Sequence, residues 1–475
     1  MAQTDIAIVI DDQEISYRRF ASDVALAARH LNDDLNEQER HLAITVRGFY
    51  WQWVLALAVM KTDKTAAAVP PQSASAELAN HFDVCIGPSA LPGVRVVDFS
   101  ATGLASLATQ WQVPEPEFKT DEPLVQINPE TTRWILTSGT TGRAKIVSVP
   151  AAGIMIRNEF CRRFHRIDMS TRFMPLMGIG TAGGFFYPLA TWLQGGCVYF
   201  DSEQPGPGKL GRKPYIEANL LFVAPATLKF LLDQNPGQWV GKQDRRVITG
   251  GSRLHKEVRD KALAYCADEV EIVFGATEVG GVAVGDAKLL DEHKGSVGYV
   301  MPGSHVQVVD QSHQSVSYGT TGMLRCQQEG MAEGYENGSG DEAFRDGWFY
   351  PGDNARLYED GQLIIAGRTS DVLNIGGNKI SAVDLETHLQ SLSEIDDLCA
   401  VKIVQAGADC LAFAVVCAAE VDLETLRKKI AGKIKFKGEF LLVRFNEIPR
   451  NNMGKLPRKA VARAIEKLLK EQVDG

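Results

Sequence analysis

Ile135-Leu136-Thr137-Ser138-Gly139-Thr140-Thr141-Gly142-Arg143-Ala144-Lys145 is the stretch from which this chain is read, because an apolar run ends there in hydroxyls and glycines and then presents a lysine. Gly139 and Gly142 let backbone N–H groups approach an anion, the hydroxyls of Thr137, Ser138, Thr140 and Thr141 add donors, and Lys145 brings a mobile positive charge. Such a loop suits phosphate. It is not a G-x-x-x-x-G-K-[ST] loop, since Ile146 follows the lysine. Taken alone, the same residues also make an ordinary polar turn, so the flanking chain has to decide.

Composition narrows the choice. A chain of 475 residues can bury a large core, and length suggests roughly two to four domains. A formal charge of −9 with a pI near 5.6 gives no electrostatic footprint for nucleic acid, so that partner is not expected. The longest apolar run, residues 51–60, is too short to span a bilayer and reads as a core helix. The first residues, Met1-Ala2-Gln3-Thr4-Asp5, carry no basic segment followed by an apolar one, so secretion is not indicated. Eight cysteines are scattered without a C-x-x-C pair and read as reduced, mostly buried thiols of a cytoplasmic protein.

Upstream of the loop, Ser16 is a cap candidate for a helix over 16–31 that sets Phe20, Val24, Ala27, Ala28 and Leu31 on one face. A strand over 41–46, an apolar helix over 50–61, a strand over 66–69, a short helix over 76–82 and strands over 84–86 and 94–98 follow. Residues 112–123, with three prolines and four acids, read as an exposed connector. Strands over 134–136 and 146–149 then frame the loop as two arms of a hairpin, ahead of a helix over 151–165. Strands over 173–176, 197–200, 220–224, 246–249 and 270–274 alternate with helices over 185–193, 226–234 and 254–266. That alternation argues for βαβ units on a parallel sheet.

From about residue 295 the texture changes to short strands with glycine turns, including 306–309, 323–326 and a hairpin over 355–366 in which Asp360-Gly361 is a type I′ turn signal. After Gly367 a helix over 383–392, strands over 398–404 and 411–417, a helix over 423–434 and a last helix from Arg458 make a compact α+β pattern. The fold class is therefore α/β: a large N-terminal domain of parallel α/β sheets (1–367) with a β-rich subdomain at about 295–367, then a small α+β C-terminal domain (368–475).

Three further constellations carry chemistry. Phe274-Gly275-Ala276-Thr277-Glu278 stands at the end of a strand, where open α/β sheets bind ligands; Glu278 can hold Mg²⁺ and Thr277 can donate to phosphate, although a Thr-Glu there also starts helices. Gly352-Asp353 and Gly367-Arg368 face one another across the hairpin, an arrangement that suits a ribose and its phosphate but also describes a plain ion pair. Lys455, in Pro449-Arg450-Asn451-Asn452-Met453-Gly454-Lys455-Leu456-Pro457-Arg458, sits on a glycine-containing loop and can act as a movable charge or simply be solvated.

Together, in this order, these motifs resemble the ATP-dependent adenylate-forming superfamily of acyl-CoA synthetases, nonribosomal peptide synthetase adenylation domains and beetle luciferases. The likeness covers essentially the whole chain: the family's T-S-G-T-T-G-x-P-K-G falls at 137–146, aromatic-G-x-T-E at 274–278, T/S-G-D at Pro351-Gly352-Asp353, G-R-x-x-D at 367–371 and P-x-x-x-x-G-K-x-x-R at 449–458. The resemblance implies that Thr137, Ser138, Gly139, Thr140, Thr141, Gly142 and Lys145 hold the β- and γ-phosphates of ATP. It sets Gly251, Ser252 and Arg253 along the adenine, with Phe274 stacked on it and Gly275 beside it. Thr277 and Glu278 serve phosphate and Mg²⁺, Asp353 and Arg368 the ribose, and Lys455 bridges the substrate carboxylate and the α-phosphate. Cations belong there because carboxylate and ATP are both anionic.

The resemblance further implies a mobile C-terminal domain that rotates about a hinge at Ser370, and a tunnel for pantetheine lined by Gly376 and Gly377. The favoured reaction is activation of an aryl or medium to long apolar carboxylic acid to its adenylate, then thioester formation with coenzyme A. A pantetheinylated acyl carrier protein is the alternative acceptor, and an ATP-binding homologue without turnover the alternative class. Ala144 and Ile146 replace the usual proline and glycine around the loop lysine, Ser370 stands where Asp or Lys is common in the hinge, and Asn354 stands where an apolar residue often follows the aspartate. Around Met177, Gly178, Gly180, Gly183 and Gly184, and at Gly280 and Gly281, small residues leave room for a bulky acid or else serve helix–sheet packing. No aspartate lies between Phe173 and Phe185 to pair a substrate amine, which argues against an α-amino acid.

Overall fold

In the computed structural model, which describes residues 5–46, 48–70, 75–87, 91–97, 123–138, 144–202, 212–234, 244–338, 341–375, 378–389, 392–405, 408–434, 436, 438–449 and 457–473, the alternating segments pair in parallel. Contacts divide the chain into two units: Met1–Gln307, Arg325–Pro351 and Tyr358–Ile364 form the first, and Val308–Leu324, Gly352–Leu357 and Ile365–Gly475 the second.

The first unit holds two sheets. One has six strands in the order Arg95–Val97, Val84–Ile86, His41–Ile44, Thr65–Ala68, Thr132–Ser138, Ala144–Pro150, parallel except for the last pair. The other contains the run Gln13–Ser16, Ile6–Ile10, Cys197–Phe200, Arg172–Pro175, Leu220–Val223, Arg246–Gly250, Glu269–Ala276, Gly280–Asp286, Ser296–Val300, and continues where Ser296 and Tyr299 pair with Ile364 and Gln362. It is parallel from Ile6–Ile10 to Glu269–Ala276 and antiparallel at its ends.

Two apolar helices, Phe49–Met60 and Ala182–Leu193, share the core with strands of both sheets. Trp53 stacks on Phe185 at 5.3 Å and meets Trp192 edge-on at 4.7 Å. Each such fully buried side chain contributes about 1.5–3 kcal/mol relative to exposure, so this seam sets the stability of the scaffold. The helix Tyr17–Asp34 begins where its cap candidate indicated, with the Ser16 hydroxyl accepting from the Arg19 N–H at 3.1 Å.

The second unit has a three-stranded sheet, Asp397–Gln405, Ala408–Val416 and Phe440–Arg444. Alternation with period two sends Leu398, Ala400, Leu411, Phe413 and Val415 to one core and Cys399, Val401, Ile403, Ala412 and Ala414 to the other. The helix Arg458–Val473 covers the second of these with Val461 and Ile465, one turn apart.

The hairpin at Asp360-Gly361 differs from its sequence signal. A type I′ turn needs positive φ at both central residues, but only Gly361 has it, at +85°, and Tyr358 and Gln362 close a longer loop in which Tyr358 donates to the Gln362 carbonyl at 3.0 Å. All eight cysteines are free thiols, six of them buried. No helix among the described residues is long and apolar enough to cross a membrane.

Candidate active site

The two arms of the opening loop, Thr132–Ser138 and Ala144–Pro150, are antiparallel and place Thr137 opposite Lys145. Gly139, Thr140, Thr141 and Gly142 lie outside the described residues, and so does the side chain of Ser138. The Lys145 ammonium sits 4.2 Å from the ring centroid of Tyr335. That tyrosine is itself fixed to the loop's second arm, through a bridge between Val147 and Tyr335 and a 3.0 Å hydrogen bond from the Glu336 N–H to the Ile146 carbonyl.

Glu278 comes to the same tyrosine from the other sheet. Glu269–Ala276 turns back over residues 277–279 into Gly280–Asp286, so Thr277-Glu278 opens no helix but forms a tight hairpin. A Cβ on Gly275 would stand 2.1 Å from the Gly280 carbonyl oxygen, which is why glycine is needed where the arms close. Arg157 clamps the turn, its Nη1 donating to the Thr277 carbonyl at 2.7 Å and its Nη2 to that of Glu278 at 3.3 Å; the Ala332 N–H adds a 2.7 Å bond to the Glu278 carbonyl. Burial pushes the Arg157 guanidinium down to about 10, with the nearby Glu278 charge acting against that.

Glu278 is only 9% exposed. Its Oε1 accepts from the Tyr335 hydroxyl at 2.7 Å, and its Oε2 makes no hydrogen bond among the described residues. No group of three His, Cys, Asp or Glu side chains among the described residues forms a metal cage. A carboxylate with one oxygen to spare beside a phosphate-type loop suits Mg²⁺, which binds through one or two carboxylates plus phosphate oxygens.

Arg246–Gly250 runs parallel beside Glu269–Ala276, with Gly250 opposite Val273. Gly251, at φ +83°, then Ser252 and Arg253 therefore leave the sheet at the same end as the half-buried Phe274 and Gly275 to Glu278. This is the carboxyl end of neighbouring parallel strands, as expected for a ligand crevice.

In the second unit, Arg368 Nε stands 3.0 Å from Asp353 Oδ1, and the Thr369 N–H closes on the Gly352 carbonyl at 2.8 Å. Gly352 holds φ +78°, a conformation that costs other residues dearly, so the tight turn and the buried aspartate come as a package. The backbone of Ser370 lies in the 3₁₀ turn Thr369–Asp371; its side chain, and Gly376, Gly377 and Lys455, lie outside the described residues. Three residues after Lys455, Arg458 binds Asp371 at 2.8 Å and both oxygens of the buried Glu386.

The glycines marked for the acyl pocket divide into two kinds. Nothing lies within 4 Å of a Cβ on Gly178, and one on Gly180 would meet only the Ala68 carbonyl oxygen at 3.6 Å. At Gly281 the Phe160 ring would be 2.4 Å away, at Gly183 the Phe222 ring 2.1 Å, and at Gly280 the Gln328 amide 2.6 Å. Met177 packs at the edge of the large core. Glycine at 183 and 281 thus makes room for two aromatic rings of the protein itself.

Tyr335 and Arg157 were not singled out in the sequence. A tyrosine between Gly334 and Glu336 was the one available hint; Arg157 shares its helix with Arg162 and Arg163, and nothing local distinguishes it.

The profile of the AMP-binding enzyme family matches residues 2–336. The chain is 27% identical over 384 residues to the mitochondrial malonate–CoA ligase of Homo sapiens, a match that takes in 69% of this chain and spans 65% of that enzyme's length. It is 25% identical over 512 residues to a salicylyl-CoA synthase/salicylate adenylyltransferase of Streptomyces, covering 96% of this chain and 90% of that one. ATP-bound MatB from Rhodopseudomonas palustris has the same fold, with a TM-score of 0.80 at 19% identity over 98% of this chain and 96% of that one. A profile match over well more than half the chain, with the matched loop and turn meeting at Tyr335, leaves one assignment: the chain belongs to the AMP-binding enzyme family.

Proposed function

We propose that the protein joins a carboxylic acid to a thiol at the expense of ATP. A carboxylate oxygen attacks the α-phosphorus, the bond to the pyrophosphate breaks, and an acyl adenylate forms; a thiolate sulfur then attacks the acyl carbon and AMP leaves. The observation that supports this best is the Glu278 carboxylate, with one oxygen uncommitted, and the Lys145 ammonium held on two sides of Tyr335. Such a pair answers both needs of a triphosphate: a site for its cation and a cation for its oxygens.

In this reading Lys145 and the loop around it receive the pyrophosphate that departs. Glu278 would hold Mg²⁺, which would supply neutralisation of phosphate charge. Asp353 accepts from ribose hydroxyls while Arg368, 3.0 Å away, holds it in place. Lys455 brings its charge to the carboxylate and α-phosphate as they approach. Gly251 to Arg253 flank the adenine with Phe274. Ser370 takes up the hinge motion, and Gly376 and Gly377 admit pantetheine.

The acid is apolar, aryl or medium to long in chain. Gly178 and Gly180 provide open space, and Phe160 and Phe222, seated against Gly281 and Gly183, give the pocket aromatic walls. Coenzyme A is the acceptor in this reading, and the setting cytoplasmic.

Carboxylate-dependent exchange of labelled pyrophosphate into ATP, run across a panel of acids, tests the proposal. Exchange should appear with apolar acids, disappear in Lys455→Ala, and leave thioester formation from supplied acyl adenylate intact in that variant. Tight ATP binding without exchange for any acid would sink the enzyme reading. Adding coenzyme A or a pantetheinylated carrier protein to the active case identifies the acceptor.

A further inference from the structure

We infer that Tyr335 is a positioning residue that keeps the Lys145 and Glu278 charges apart and so available to the nucleotide; the inference rests on the function proposed above. Tyr335 is 7% exposed and has little freedom, since its backbone bridges Val147 and its ring meets Phe344 edge-on at 5.2 Å. One side chain then serves two opposite charges. The phenolic O–H donates to Glu278 Oε1 at 2.7 Å, and the ring faces the Lys145 ammonium at 4.2 Å.

The consequence follows from what the two charges do not do. Lys145 and Glu278 come from different sheets and converge on one residue, yet no ion pair joins them. A lysine on a four-carbon stem beside a largely desolvated carboxylate would otherwise pair with it, because their attraction strengthens as water is excluded. A paired Lys145 would have no charge left for the β- and γ-phosphates, and a paired Glu278 none for Mg²⁺. The aromatic ring satisfies the ammonium through its π face without neutralising it, and the hydroxyl orients the carboxylate without taking a proton from the account. Tyrosine does both from one position. Phenylalanine would keep the face and lose the donor; leucine would lose both.

The test uses the full chain and two readouts. Binding of α,β-methylene ATP, which cannot be adenylated, is measured by calorimetry with and without Mg²⁺. Tyr335→Leu should weaken the Mg²⁺-bound analogue roughly tenfold, the scale of one interaction with a charged group, and Tyr335→Phe by only a few-fold because its ring still holds Lys145. Carbodiimide coupling, which joins an amine to a carboxylate already in contact, is read by mass spectrometry. A Lys145–Glu278 crosslink should form in Tyr335→Leu and not in the parent protein. Unchanged Mg²⁺-dependent binding in Tyr335→Leu, or no crosslink in that variant, overturns the inference. Wild-type binding of the Mg²⁺-bound analogue with no acid supporting exchange would instead remove the ligase reading and leave the role of Tyr335 standing.

Discussion

Arg458→Met should loosen the second unit, and the structure says by how much. Arg458 is the hub of a buried cluster: Nη2 lies 2.8 Å from Glu386 Oε2, Nη1 reaches Glu386 Oε1 and, at 2.9 Å, the Ala400 carbonyl, and Nε lies 2.8 Å from Asp371 Oδ1. Glu386 accepts one other bond, from the Ala400 N–H at 2.7 Å. Methionine keeps most of the apolar stem and removes every charged donor. A buried carboxylate left with a single backbone donor costs about 3–5 kcal/mol. At 25 °C that is a loss of amide protection on the order of 10²–10⁴-fold, if the local opening that exposes the strand carries the whole cost.

The pH dependence has a definite sign. Burial pushes the Glu386 carboxyl above its ordinary range in spite of Arg458, while Arg458 is held charged, above its own range, by Glu386 and Asp371 against burial. Glu386 is the member of the pair that titrates in the accessible range, because Arg458 stays charged throughout it. A carboxyl raised in the folded state contributes stability that is full below its unfolded value, about 4.3, and is lost as pH rises through the folded value. Removing Arg458 raises Glu386 further, so the deficit of the variant should be larger at pH 8 than at pH 5. Hydrogen exchange read by mass spectrometry over Asp397–Gln405 and Arg458–Val473 measures both. The double change Arg458→Met with Glu386→Leu should regain most of the loss, since no buried charge then remains unpaired. Protection within threefold of the parent in the single variant, or a double variant no better than the single, refutes the reasoning.

His165 is wholly buried, its Nδ1 lies 2.7 Å from Glu271 Oε2, and its Nε2 has no partner among the described residues; burial holds the imidazole below its usual range. Stability from such a group is present above about pH 6.5 and lost as pH falls toward the folded value, so His165→Asn should flatten the acid limb of the melting temperature below about pH 6.5, and an unchanged limb counts against it. Gly183→Ala should cost about 1–3 kcal/mol of stability, because its Cβ would strike the Phe222 ring, which already stacks on Tyr187 at 4.6 Å. Combining it with Phe222→Leu should restore the midpoint of thermal unfolding and shift the preferred acids in the exchange assay; a midpoint that stays low contradicts the contact.

Much of this fold is written locally. The all-apolar 51–60 segment, the alternation after Thr171 and the Ser16 cap each declare an element through burial and hydrogen-bonding rules that act within a few residues, and the helices and strands stand within a few residues of where those rules put them. Where the rules fell silent, the reason is physical. Ile6–Ile10 turns at Asp11, φ +55°, into Gln13–Ser16, and no glycine advertises that turn. Gly280–Asp286 alternates poorly because close backbone approach, not side-chain burial, dictates its glycines. The second unit also takes Val308–Leu324 and Gly352–Leu357, segments that no local pattern assigns to it. At the site, Glu278 was legible as a carboxylate after a strand. Its partner Tyr335 lies 57 residues away and Lys145 is more distant still, so their meeting depends on how two sheets pack.

The buried acids of the described residues show why that meeting point is set apart. There are five: Asp23, Asp201, Glu278, Asp353 and Glu386. Four have a guanidinium on the carboxylate: Arg19 on Asp23, Arg212 on Asp201, Arg368 on Asp353 and Arg458 on Glu386. That is the ordinary solution, since a desolvated carboxylate without a counter-charge is expensive. Glu278 has a neutral hydroxyl instead, although Arg157 is close enough to feel its charge. Both Nη groups of Arg157 are committed to main-chain carbonyls of the same turn, so the arginine shapes the hairpin and leaves the carboxylate un-neutralised. Stability alone would favour turning that guanidinium onto the carboxylate. On the function proposed above, a fold that has the arginine in place and directs it elsewhere leaves the negative charge for a ligand, and a hard cation carried on phosphate would match its charge and oxygen preference.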